Sequence, residues 1–108
     1  MLTKEKLNNL QHIDDLIDYD GLSRVFRYQN EIYVSYCGGK RVDMFLRTTL
    51  ENVQAVKNDQ IDIRTFFEHC DEYYLVYYKE NDQEIIETTL DYLINNHFIP
   101  QQGVFLNI

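Results

Sequence analysis

The run Glu72-Tyr73-Tyr74-Leu75-Val76-Tyr77-Tyr78-Lys79 sets the tightest limit on what this chain can fold into. In an extended conformation Tyr73, Leu75 and Tyr77 share one side, and Tyr74, Val76 and Tyr78 share the other. Both sets are apolar-bodied β-formers, so the run reads as a strand in the middle of a sheet covered on each face. Its tyrosines suit either a core with polar tips or a contact surface. Phe66 and Phe67, just upstream, are the expected cover for the Tyr73-Leu75-Tyr77 side, which leaves Tyr74 and Tyr78 as the tyrosines available for contact.

The rest of the chain can support such a strand. At 108 residues, with 44% hydrophobic and 14% aromatic side chains, it is expected to form one domain that buries roughly two thirds of its unfolded surface. No stretch reaches the ~20 apolar residues of a membrane-spanning helix. The opening Met-Leu-Thr-Lys-Glu-Lys is not followed by the apolar core of a signal peptide. Cys37 and Cys70 lack C-x-x-C spacing and read as reduced thiols, consistent with a cytoplasmic setting.

Around the tyrosine run the pattern alternates between helix and strand. Leu7, Leu10, Ile13, Leu16 and Ile17 recur at helical spacing and predict an amphipathic helix over 4–17, with Thr3 as its N-cap. Asp14, Asp15 and Asp18 crowd its last turns, where the helix dipole disfavours negative charge. Residues 24–28, 31–37 and 41–47 predict a three-stranded meander, turning at Gln29-Asn30 and at Gly38-Gly39. Thr48-Thr49-Leu50-Glu51 has the form of a capping box and opens a helix to about Lys57. Asp62 can cap a second short helix, with Ile63, Phe66, Phe67 and Cys70 on one stripe. Residues 84–88 predict a strand, 89–96 a short helix, and Val104-Phe105-Leu106 a tail that docks on the body. The expectation is an α+β domain spanning 1–108, with an antiparallel sheet of about five strands and packed helices.

Several chemistries can be weighed against spacing. Asp18-Tyr19-Asp20-Gly21 fails as a calcium loop, because the first and twelfth positions would hold Leu16 and Arg27. The same string has the D-x-D-G form of the haloacid-dehalogenase-type nucleophile motif, but Leu22 closes it where Thr or Val is needed. A helical pattern rather than an apolar strand precedes it, and the chain is too short for that fold. A capped turn explains it better. His69 and Cys70 are adjacent, so on a helix they point about 100° apart and His69 cannot activate the thiol directly. His12, His69 and His97 have no metal-ligand spacing. No catalytic residue, cofactor or metal site is expected, and an enzyme or small-ligand pocket near Cys70 and His69 stands as the alternative.

Charge is unevenly distributed along the chain. Of its net −8, residues 1–20 hold 2 basic and 5 acidic groups (−3), residues 21–66 hold 7 and 5 (+2), and residues 67–108 hold 1 and 8 (−7). Arg24, Arg27, Lys40, Arg41 and Arg47 belong to the meander, where strand-end solvation and ion pairs account for them. The acidic third repels phosphate, which disfavours direct nucleic-acid binding, and steers a basic protein partner. The expected contact set is Asp71, Glu72, Tyr74, Tyr78, Glu80, Asp82, Glu84 and Glu87. Such a surface fits a non-enzymatic interaction module: an inhibitor, immunity protein or antitoxin, or a phosphate-mimicking inhibitor of a nucleic-acid-binding protein.

Tyr19-Asp20-Gly21, Gln60-Ile61-Asp62-Ile63-Arg64 and Ile99-Pro100-Gln101-Gln102-Gly103-Val104-Phe105-Leu106 together resemble the landmarks of an uncharacterised family of small bacterial proteins. In that family a Tyr-Asp-Gly-Pro segment is followed by an Ile-Asp-Leu-Arg segment and a Pro-x-x-Gly tail. Leu22 stands here in place of the proline. The resemblance implies strand over helix near 84–88 and supplies no functional residues.

Overall fold

The computed structural model describes residues 2–18, 21–37, 42–70, 72–77, 95 and 103–107. Their elements are α1 (Lys4–Asn8), β1 (Gln11–Asp18), β2 (Gly21–Tyr28), β3 (Glu31–Cys37), β4 (Val42–Thr48), α2 (Leu50–Lys57), α3 (Ile63–Glu68), β5 (Glu72–Tyr77) and β6 (Gly103–Asn107). The class is α+β. The six strands lie in sequence order, β1-β2-β3-β4-β5-β6. Neighbours from β1 to β5 are antiparallel, and β6 lies parallel to β5, pairing Tyr73 with Gly103 and Leu75 with Phe105. The tail therefore does more than dock: it extends the sheet. The tyrosine run is an interior strand, next to last in the order.

The helix expected over 4–17 is corrected to one helical segment and a strand. Thr3 does cap α1, its hydroxyl accepting from the Lys6 amide at 3.2 Å, but the helix ends at Asn8. Beyond it the chain straightens into β1 and pairs with β2 from Gln11↔Arg27 to Asp18↔Gly21. Pairing of seven of its eight residues and burial of Leu16 outweigh a helix whose last turns would have stacked Asp14, Asp15 and Asp18 against its negative end. The register shifts between His12 and Asp14, which makes Ile13 the bulged residue.

The meander occurs as expected in β2, β3 and β4. Gln29 enters its turn with φ 53°, the left-handed region that tight hairpin turns require. Asp62 caps α3, accepting from the Thr65 amide at 2.7 Å. The cap of α2 falls one residue later than the capping box implies. Thr49 rather than Thr48 accepts from the Asn52 amide, at 3.2 Å, because Thr48 is still held in the ladder opposite Ile32 and is buried there. The strand expected at 84–88, the helix at 89–96 (Asn95, which is helical, aside) and the Gly38-Gly39 turn lie outside the described residues.

Both faces of the sheet are covered. On the first, α2 and α3 bring Val53, Phe66, Phe67 and Cys70 onto Val25, Val34, Met44, Leu46, Tyr73 and Leu75. This is the expected Phe66–Phe67 cover, and the Tyr73 hydroxyl donates to the Phe67 carbonyl. On the second, Leu2, Leu7 of α1 and Leu10 just beyond that helix cover Tyr33, Phe45, Tyr74 and Val76. A chain whose central strands are apolar on both sides needs both lids, and it makes the second from its own N-terminal segment. Among the described residues no helix is long and apolar enough to cross a membrane.

Candidate functional site

Of the residues expected to carry the contact, Glu72 and Tyr74 are described; Asp71, Tyr78, Glu80, Asp82, Glu84 and Glu87 lie outside the described residues. Glu72 opens β5 opposite Arg47, with carboxylate and guanidinium 3.8 Å apart. It also accepts from the Tyr74 hydroxyl. Tyr74 was expected on an open face and is only 2% exposed. Burial, then the hydrogen bond to Glu72, push its phenol up to about 12. Leu2 and α1 occupy the space a partner would need, so the open second face is corrected to a closed one.

The Cys70–His69 alternative also meets the structure. Cys70 is buried at the foot of α3, its thiol donating to the Phe66 carbonyl at 3.3 Å. His69 is exposed and forms the C-cap of that helix. A thiol in apolar surroundings stays protonated and weakly nucleophilic. Among the described residues no group of three His, Cys, Asp or Glu side chains is placed to hold a metal ion.

A cleft of about 350 Å³ lies where the β2–β3 turn meets the start of α2, with Arg27, Glu31, Arg47, Thr48 and Thr49 in its lining. Most of these groups are already engaged. Glu31 accepts from Lys6 at 2.9 Å and from the Tyr33 hydroxyl at 3.2 Å, and Lys6 holds its carboxyl below the usual range. The Thr49 hydroxyl caps α2, and Arg47 faces Glu72. The cleft is a junction of internal contacts.

Among the described residues, the most open apolar side chains lie at the other end of the sheet. Ile17 and Leu22 are cross-strand partners at the β1–β2 hairpin, 82% and 50% exposed respectively. β1 is also a terminal strand of the sheet, so every second residue turns its N–H and C=O away from β2. Beside it runs a groove of about 240 Å³ lined by Asp15, Leu16, Ile17, Val56, Lys57 and Asp59. Lys57 is committed to Asp14 at 2.6 Å, a hydrogen bond that lowers the pKa of that carboxyl. Asp15 contacts the exposed His12 at 2.7 Å. The helical spacing of residues 7–17 hides this site, since on a helix Leu16 and Ile17 both face the core. The one sequence signal that pointed away from a helix was the aspartate triplet.

A scan against protein-family models, a search of curated proteins and a search of solved structures found no match to this chain.

Proposed function

We propose that this protein is a non-enzymatic interaction module that acts by occupying a basic partner protein. The observation that carries the reading is the exposed Ile17–Leu22 pair, set in a chain of net charge −8. Large apolar side chains left open beside carboxylates give a contact its desolvated centre, and the surrounding acidic charge supplies steering. Inhibition, immunity and antitoxin roles all use this physics. The acidic residues Asp71, Glu72, Glu80, Asp82, Glu84 and Glu87 belong to the steering field in this reading, whereas Tyr74 leaves the contact set because it is buried.

The test is capture from source cells followed by titration with the purified partner. A discrete basic protein should be retained, and its affinity should fall as salt rises, because exposed charges are screened. Charge reversal at Glu80, Asp82 and Glu84 should slow association most. Failure to retain any partner, or a partner whose affinity is indifferent both to salt and to these reversals, refutes the reading.

A further inference from the structure

Resting on that reading, we infer that the partner contributes an extended segment with alternating basic and apolar side chains, which adds as a strand to the outer edge of β1. Among the described residues no strand pairs with that edge. The ladder it offers runs along residues 14–18, because the bulge at Ile13 interrupts regular pairing on the N-terminal side. An added strand gains main-chain hydrogen bonds from the edge and specificity from pockets for its alternate side chains.

Side-chain placement selects the incoming chemistry. Leu16 and Val56 line the groove on the side covered by α2, Ile17 stands on the same edge with its side chain turned to the other side, and Asp15, Asp59 and Lys57, the last paired with Asp14, complete the lining. An apolar side chain of the incoming strand fits beside Leu16 and Val56, and its neighbours, on the other side, meet Ile17 and the Asp15 carboxylate. Residues 11–18 contain three aspartates and no lysine or arginine. A second copy of this chain added antiparallel to β1 so that residues 14–18 overlap fully would set Asp14 against Asp18, which is destabilising between strands. Asp14 is already paired with Lys57 and Asp15 contacts His12, but with Asp18 and Asp59 the edge stays net acidic, which favours a lysine- or arginine-bearing strand. Charges and a bulge on an edge also serve to discourage aggregation; here they stand beside an isoleucine left 82% exposed, which a basic and apolar strand can cover.

The probe is an end-capped octapeptide of alternating lysine and valine, titrated against the full chain while backbone amide hydrogen exchange is followed. New protection is expected at outward amides of residues 14–18, with none at β6. Ile17→Glu should weaken binding about tenfold or more, the effect of losing a central apolar anchor, and Leu50→Glu, at an exposed leucine on α2, should leave it unchanged. A peptide of alternating glutamate and valine should not bind. Protection elsewhere, equal binding of the acidic peptide, insensitivity to Ile17→Glu, or a dimer in the peptide-free protein overturns strand addition. Retention of a captured partner by Ile17→Glu, with loss on charge reversal at Glu80, Asp82 and Glu84, would leave the interaction reading standing and remove the β1 edge alone.

Discussion

Truncating Leu2 tests whether the second face of the sheet is closed. Leu2 is fully buried against Tyr33, Phe45, Tyr74 and Val76, although it stands next to the chain start. Leu2→Ala removes three carbons, and at ~0.8 kcal/mol per buried methylene the transfer loss is about 2.5 kcal/mol. A rigid core would add a cavity cost that takes such changes toward ~5 kcal/mol. Here the lid is the five-residue α1 with its flanks, which can settle toward the gap. We therefore expect about 3 kcal/mol, read as the change in unfolding free energy from urea titrations at constant slope. In a thermal scan this corresponds to a drop of roughly 10–20 °C for a chain of this size. The control is Leu50→Ala, at a half-exposed position, which should stay within about 0.5 kcal/mol. A loss below about 1 kcal/mol for Leu2→Ala would mean that the N-terminal segment does not seal the sheet. Tyr74 would then return to the set of residues a partner can reach.

Two further outcomes follow from buried and paired groups. Glu31 has its folded pKa lowered by Lys6, so the pair stabilises above the unfolded value of 4.5 and that contribution is lost as pH falls through the lowered folded value. Wild type should exceed Lys6→Met by about 0.5–1 kcal/mol at neutral pH and match it near about pH 2 in urea melts; an unchanging gap refutes the linkage. At the alkaline end the sign reverses: Tyr74 titrates near 12 instead of 10, so its contribution is complete below pH 10 and lost through 12, visible as late phenolate absorbance. In a Cys37→Ser background, Cys70 should label with a thiol reagent about a hundredfold more slowly in the folded than in the urea-unfolded chain, because attack on a buried thiol awaits local opening. Equal rates would reopen the case for a thiol site beside His69.

Local chemistry carried much of the fold into plain view. The β2–β4 meander, the Asp62 and Thr3 caps and the Phe66–Phe67 cover over Tyr73 and Leu75 each depend on residues within one or two elements. What escaped depends on partners distant in sequence. The parallel pairing of β6 with β5 joins segments some 30 residues apart, and periodicity in either one says nothing of direction. The lid on Tyr74 comes from Leu2, ahead of the predicted helix, and from Leu7 and Leu10, which share a helical stripe with Ile13, Leu16 and Ile17. The aspartates at 14, 15 and 18 speak against a helix through residue 17, but nothing local fixes the cut at Asn8. Thr48 and Thr49 are equivalent as caps by type, and cross-strand pairing of Thr48 with Ile32 decides between them.

The cut in that stripe is also what creates the candidate site. On a helix through residue 17, Leu16 and Ile17 stand about 100° apart and can share one buried face. On a strand they point to opposite sides, so burying Leu16 forces Ile17 outward. The sheet offers no second compensation there, since α1 covers the part of that face over Tyr33, Phe45 and Tyr74, while Ile17 lies opposite Leu22 at the far end of the hairpin. An exposed isoleucine is thus the direct result of choosing strand over helix, and a polar residue at position 17 would have removed it without disturbing Leu16. Isoleucine there also serves the strand through its β-propensity and its cross-strand pairing with Leu22. In the proposed complex a partner strand buries it as well, and the aspartates that weakened the helix on its negative end supply the charge that draws such a strand in.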